Sequence, residues 1–382
     1  LLVEDGAIAA LSRELPGTTG RVLECTAMFL VPGLIDCHVH ITSSGTPGEV
    51  NEAAREPLAR RAWRAADYAR RTLQAGVTTV RDLGAADRLN IQLANAIDEG
   101  LIEGPTILAA GLGVTMTGGH GHGFLAQEAD GPDGVRKAVR EQLKAGAKAI
   151  KLFASGGVMT PGVDPRSPSF TQEELAAGVE EAHKAFRVAA AHAQSTDAIK
   201  NAVRAGVDSI EHGVWLDEEA LDLMCRRGTY MVPTLTAPHH MAHGGLEAGI
   251  APYMVEKAHE VLVDHLASYR AALRAGVRVA MGTDQGTPLN RPGENAQEVV
   301  RMAENGLSNA AALLAATAWA ADLLRLQAGR LREGLAGDIL ILGGDPLADI
   351  GVLADSARIS GVIKRGAIVH FGGAAAAAGG TR

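Results

Sequence analysis

From position 32 onward the chain alternates between two kinds of hydrophobic pattern. Short apolar runs occupy 34–41, 77–83, 106–111, 149–155, 188–193, 209–213, 230–235 and 277–284. Between most of them lie longer stretches whose apolar residues recur at helical spacing. One covers 56–75 and stops at Gly76, a residue suited to the left-handed turn that ends helices. Another covers 171–185 and opens with Thr171 and, three residues on, Glu174, a capping-box pattern. A third covers 217–227, with Asp217 placed to accept from the first-turn N–H groups and Gly228 to end it. Eight strand–helix alternations predict an α/β fold, a (β/α)8 TIM-type barrel. The phrases QAGVTTV, RAGVDSI and RAGVRVA are one helix-to-strand joint used three times, not a long-period repeat.

The two ends of the chain read differently. Residues 1–30 alternate short strands with turns, and Asp5-Gly6 is a hairpin signal. After a helical stretch at 308–324, strands return at 338–342 and 359–371. We expect 1–30 and 329–373 to pack as a small β-sandwich module beside a barrel of 31–328, with a low-complexity tail, 374–382, frayed.

Composition narrows the function classes. A chain of 382 residues accommodates a barrel of about 250 plus a smaller unit. No apolar run approaches the ~18 residues of a membrane helix, so no membrane partner is expected. A net charge of −8 argues against nucleic acid as a partner. Three cysteines, Cys25, Cys37 and Cys225, suit a reducing compartment, and a cytoplasmic location is the expectation. The sequence begins at Leu1 rather than methionine, which leaves a removed signal peptide open.

The candidate chemistry sits at strand ends. In Pro32-Gly33-Leu34-Ile35-Asp36-Cys37-His38-Val39-His40, the two histidines are two residues apart in a strand and so face one way. Cys37 should face the other way as a buried thiol. Barrel active sites lie at the carboxyl ends of the strands. Lys151, His192, His212 and Asp284 fall there as well. Singly, each has a bland explanation: a hydrogen-bonded core histidine, a surface lysine, a helix cap. Together, six polar groups at matching ends of five strands would be costly to bury without mutual compensation, and imidazoles with a carboxylate make a metal site. Lys151 cannot ligate as an ammonium. Burial drives it towards the free amine, which can take up CO2 to form an anionic carbamate with two oxygens.

These residues carry a resemblance. "VPGLIDCHVH", "IKLFASGGVM", "SIEHG" and "GTDQGTP" are similar to motifs of the amidohydrolase superfamily. They most resemble the branch of imidazolonepropionase-like enzymes and metal-dependent Xaa-Pro dipeptidases (prolidases) and carboxypeptidases. Lysine in "IKLFASGG" resembles the binuclear, carboxylated-lysine subtype. The resemblance implies two divalent ions. His38, His40 and Asp284 would hold one, His192 and His212 the other, and carboxylated Lys151 would bridge both. Zinc suits this donor set, as do manganese and cobalt. A metal-bridging hydroxide would attack a carbonyl, with Asp284 moving its proton to the leaving amine.

Substrate contacts are less defined. His120, in the glycine-rich MTGGHGHG with His122, is by resemblance a substrate or oxyanion contact. Tyr230 could bind a substrate carbonyl or carboxylate, and Arg166 could clamp a carboxylate. Their alternatives are core packing and an exposed loop. His239, His240 and His243 lie in a segment long enough to act as a lid. The expected function is hydrolysis of the amide bond of a small molecule, a dipeptide or N-acyl amino acid with a free carboxylate, by a homo-oligomer. Alternatives on the same centre are cyclic-amide, mycotoxin-type amide, lactone or phosphotriester hydrolysis. A non-catalytic assembly scaffold is a remote alternative, since no ligand position is missing.

Overall fold

The computed structural model describes residues 1–13, 20–48 and 56–372, with the backbone of 375–376. Sequence-order strands β5 (Leu34–Val39), β6 (Val77–Asp82) and β7 (Thr106–Ala109) pair in parallel. A second sheet runs in the order β13 (Tyr230–Val232), β12 (Ser209–His212), β11 (Val188–Ala193), β10 (Ala149–Phe153), β8 (Gly113–Thr115) and β9 (Ala126–Glu128). Two seams join these sheets into a ring. At one, the Lys148 N–H, just before β10, donates to the Ala109 carbonyl of β7 (2.8 Å). At the other lies the eighth expected run. It is not a regular strand. It touches its neighbours through single bridges, Val279 to Met231 and Gln285 to Val39. The N–H groups of Cys37 and Asp284 nevertheless donate across that seam, to Met281 and His38. The (β/α)8 barrel is therefore closed.

The helices follow the local signals. Leu58–Gln74 ends at Gly76, whose φ of +89° places it in the left-handed region. A Cβ there would also lie 2.7 Å from Leu340, so the joint requires glycine twice over. Gln172–Lys184 carries the full capping box between Thr171 and Glu174. Glu218–Arg227 is capped by Asp217, which accepts from the Ala220 N–H. The main core lies between strands and surrounding helices and includes Leu73, Val80, Ile150, Leu152, Ile199 and Met231.

Two expected continuous elements are interrupted. The stretch 308–324 forms two helices, Asn309–Ala315 and Ala318–Leu324, broken at Thr317 (φ −137°, ψ −91°). The Ala316 carbonyl turns out of the helix to accept from the Ile35 N–H. That frees the second helix to pack Ala320, Ala321 and Leu323 against Ile35, Cys37 and Val232. The run 359–371 is a hairpin of β15 (Ile359–Lys364) and β16 (Ala367–Phe371), turned at Arg365-Gly366, where both φ values are positive.

The chain ends do meet. β4 (Phe29–Pro32), β14 (Ile339–Leu342), β15 and β16 form one antiparallel sheet in the order β16-β15-β14-β4. The hairpin of β1 (Leu2–Glu4) and β2 (Ala7–Ala10), turned at Asp5-Gly6, hydrogen-bonds to Leu335 and Gly337. The expected frayed tail lies outside the described residues, except Ala375–Ala376, which pair with β3 (Val22–Leu23). All three cysteines are free, and Cys37 is buried. No described helix is long and apolar enough to cross a membrane.

One buried acid sets the start of a helix above the barrel. Glu298, fully buried, accepts from the N–H groups of Leu235 and Thr236 and from the Thr236 hydroxyl (2.8, 2.8 and 2.6 Å). Burial raises its pKa to about 7, partly offset by those three bonds. A raised carboxyl pKa means a contribution present at low pH and lost as pH rises through the folded value. Relative to Glu298→Gln, the wild type should lose on the order of 3 kcal/mol between pH 4.5 and 8. Urea unfolding of both proteins across that range checks this; a constant difference would show that Glu298 does not titrate as described.

Candidate active site

One cavity at the carboxyl end of the barrel is lined by His38, His40, Lys151, His192, His212 and Asp284. All six residues are buried. Strand register explains part of this. Phe153 of β10 pairs with His192 of β11, and Ala193 pairs with His212 of β12. Lys151 and Phe153 are two apart on one face, as are His192 and Gln194, and all four line the cavity.

Backbone strain supplies the rest. Glu211 points into the barrel, so strict alternation would turn His212 outward. A φ of +71° turns it back into the cavity. Asp284 (φ +58°) and Thr234 (φ +54°) are also left-handed without being glycine. Such backbone costs about 1–3 kcal/mol per residue and collects at functional sites.

Partners of the imidazoles fix where their lone pairs point. His40 Nδ1 lies 2.9 Å from the Gly84 carbonyl, so Nδ1 carries the proton and Nε2 is left as a donor atom for a metal. The Thr234 hydroxyl donates to the Pro233 carbonyl, so it accepts from His212 Nδ1 (2.7 Å), and Nε2 of His212 is likewise free. His192 is reversed: Nε2 donates to the Gly156 carbonyl (2.8 Å), leaving Nδ1. His38 Nδ1 is 2.8 Å from Glu211 Oε2, close although off line for a straight hydrogen bond. Nε2 of His38 and of His40 each lie 3.3 Å from Asp284 Oδ1. One ligand atom from each of His38, His40 and Asp284 fits within 4.8 Å of the others. Lone pairs gathered this closely, with tautomers set from behind, fit a cation.

At three of the four imidazoles the charge state agrees with that arrangement. Burial pushes His38, His192 and His212 well below the ordinary histidine range, so all three are neutral. Burial opposes charge on His40 too, but Asp284 and Asp82 outweigh it and raise its pKa. Burial alone would raise Asp284; His38, His40 and Lys151 overcome it and hold the carboxyl down at about 2. Burial lowers Lys151 to about 8, against the pull of Glu211 and Asp284. Among the described residues no carboxylate comes within 4.0 Å of its Nζ.

Behind the imidazoles is a buried polar layer that the sequence reading did not assign. Arg81 donates to the Cys37 carbonyl (2.6 Å), Ser209 Oγ (3.0 Å) and Glu211 Oε1 (2.8 Å). Asp36 accepts from the N–H groups of His38 and Thr283, the Thr283 hydroxyl and Asn295. A charged residue inside each apolar run (Asp36, Arg81, Glu211) was the available signal. His265 also lines the cavity, with Nε2 3.0 Å from the His212 carbonyl.

The expected substrate contacts separate. His120 lines the cavity, with Nδ1 2.7 Å from Thr160 Oγ1 and its ring 4.7 Å from that of His192. A Cβ on Gly157 would lie 2.5 Å from His120 Nε2, which is why glycine stands there. His122 is exposed and bonds to the Gly119 carbonyl. Tyr230 is not in the cavity. As the first residue of β13 it lies at the amino end of the strands, the opposite mouth of the barrel. There it lines a separate hollow with Arg278, Asp208 and Trp319. Arg166 does not line the cavity either. Its guanidinium stacks 4.6 Å from the Trp215 ring and pairs with Glu260 (3.4 Å), half exposed at the rim. His239, His240 and His243 belong to helix Thr236–Gly244, which packs Ala237 and Met241 over the cavity.

The barrel, the His-x-His strand and the metal-type cluster define a class, and the chain belongs to the amidohydrolase family, whose profile matches residues 29–369. The chain is similar to ochratoxinase of Aspergillus niger, at 33% identity over an alignment of 409 positions covering 96% of this chain and 82% of that one. Among solved structures it resembles a Xaa-Pro dipeptidase with methionine bound in its active site (TM-score 0.86, 33% identity, 96% and 93% of the two chains). It also resembles a prolidase complexed with N-methylphosphonate-L-proline (TM-score 0.87, 34% identity, 96% and 93% covered).

Proposed function

We propose that the protein is a metal-dependent amide hydrolase that releases an amino acid bearing a free carboxylate, from a dipeptide or an N-acyl amino acid. The observation that carries this is the cavity itself. His38, His40, His192 and His212, the last three with tautomers set from behind, share it with Asp284 and with the buried Lys151, which has no carboxylate within 4.0 Å among the described residues. Relatives named prolidase and ochratoxinase support an amide substrate.

His38, His40 and Asp284 would hold one divalent ion and His192 and His212 a second. Lys151, as its carbamate, would reach both. Zinc suits the set, with manganese and cobalt also compatible. When bound, such ions polarise a carbonyl and acidify a water. The protein's own groups do the rest. Asp284, ionised over the working range, takes the attacking water's proton and passes it to the leaving nitrogen. His120, held by Thr160, faces the substrate's carbonyl or carboxylate oxygen. Phe153, Val158 and Met241 keep bulk water from the reacting bond.

The test is protein produced with ample zinc and bicarbonate, assayed for metal and for amine release from dipeptides and N-acyl amino acids. We expect about two ions per chain and hydrolysis that stops on chelation and returns with metal. Tyr230→Phe, remote from the cavity, should leave kcat/KM within about twofold of wild type. Less than one ion per chain, or no amine release from the loaded protein, would remove the assignment.

A further inference from the structure

Gln194 ends the same strand face as His192 and lines the same cavity. Its backbone is fixed on both sides: the N–H donates to Ser155 Oγ (2.9 Å) and the carbonyl accepts from the Trp215 N–H (2.9 Å). The residue is 5% exposed, yet among the described residues Oε1 has no hydrogen-bond partner. A buried polar atom left unpaired costs about 1–3 kcal/mol, so such an atom on a residue that lines a cavity marks a contact that a ligand, met by a turn of the side chain, can complete. It is a neutral acceptor.

The surroundings decide what kind of ligand. The wall is apolar at Phe124, Val158, Met159, Val214, Met241 and Val261. Asp284 is the one carboxylate among the lining residues, and it already faces His38 and His40. Two acids of helix Pro252–Ala275 are also engaged. Glu260, beside Val261, pairs with Arg166, and Asp264 accepts from the Trp215 indole (2.7 Å). Lys257 of the same helix donates to the carbonyls of Thr160 and Val163 (3.0 and 2.6 Å), so the loop carrying Val158 and Met159 is tied down by a cation. A free α-ammonium entering this cavity would find a hydrogen-bond acceptor but no lining carboxylate that is not already engaged. A carboxamide can satisfy a hydrogen bond; it cannot neutralise a buried charge.

We infer that Gln194 is a specificity-determining residue and that the substrates are amides with an uncharged, apolar acyl group. N-acyl amino acids are then preferred over dipeptides with a free amine. The inference rests on the amide-hydrolase reading above and selects between its two substrate classes. In the bound state Gln194 Oε1 accepts an N–H or O–H of the substrate, and the apolar wall covers the acyl chain.

A matched pair tests this: N-hexanoyl-phenylalanine and norleucyl-phenylalanine share one skeleton and differ only in the α-amine. At pH 7 the wild type should favour the hexanoyl compound in kcat/KM by at least about tenfold. Gln194→Glu supplies the missing charge and should move that ratio towards the dipeptide by at least about tenfold, with metal content unchanged. Hexanoate should likewise inhibit the wild type more strongly than norleucine, an equilibrium reading independent of turnover. Should Gln194→Glu fail to load metal, the wild-type ratio and the two inhibition constants still decide. A wild type that cleaves both and favours norleucyl-phenylalanine, or a Glu variant with an unmoved ratio, overturns the role of Gln194 while leaving amide hydrolysis intact. Cleavage of neither, alongside failure of the wider amide set, overturns both.

Discussion

Lys151→Ala is expected to lower kcat/KM by at least about a thousandfold without unfolding the protein. Lys151 is 1% exposed and lines the cavity, with no carboxylate within 4.0 Å of its Nζ among the described residues. A buried ammonium beside four imidazoles is poorly placed both for stability and for holding cations. As a carbamate it would become an anion with two oxygens, which would compensate the cations proposed to be held by His38, His40, His192, His212 and Asp284. Two readings separate this from a general loss of structure. Metal content should fall with the substitution. Added short carboxylates such as propionate, which mimic the lost oxygens in the space vacated by the side chain, should restore part of both metal binding and activity. Lys151→Ala protein with full activity and two ions per chain would remove Lys151 from the centre. The same loss without any rescue, in a protein whose wild type shows no carbamate by mass, would leave lysine necessary but unmodified.

Arg81→Met should be the most destabilising single change at the site, by about 3–5 kcal/mol. Arg81 and Glu211 are both fully buried and 2.8 Å apart. Removing the guanidinium strands the Glu211 carboxylate and frees the Cys37 carbonyl and Ser209 hydroxyl it had bonded. Glu211 in turn stands behind His38, so the imidazole should lose its fixed orientation as well. The measurement is the urea midpoint at constant slope, read with metal content. In the double variant Arg81→Met/Glu211→Gln the buried charge is gone, and part of the loss should return as a coupling energy. If the midpoint of Arg81→Met matched wild type, water must reach Glu211, and the buried network would not be what holds His38.

Several elements were legible because their signals are local. Thr171 with Glu174, Asp217 with Gly228, and Asp5-Gly6 each became the cap or turn that short-range hydrogen bonding requires. His38 and His40 share a face through strand periodicity alone. Other expectations failed where a distant partner intervened. Helix 308–324 breaks because strand β5 takes the Ala316 carbonyl. The phenol of Tyr230 suits a substrate contact by residue type, but its position at the start rather than the end of a strand sends it to the opposite mouth of the barrel. Arg166 satisfies itself at the rim with Trp215 and Glu260.

The sequence by itself determined the alternation of strands and helices, the pairing of the chain ends and the identity of the residues that converge on one cavity. All of these follow from periodicity, caps and which residue types stand at strand ends, information carried within a few neighbouring positions. Tertiary structure decided which nitrogen of each imidazole is free, that His212 and Asp284 turn inward on left-handed backbone, and that Arg81, Glu211 and Gln194 belong to the site. Those facts depend on groups from 22 to 130 positions apart meeting inside one ring, which no pattern of neighbouring residues records.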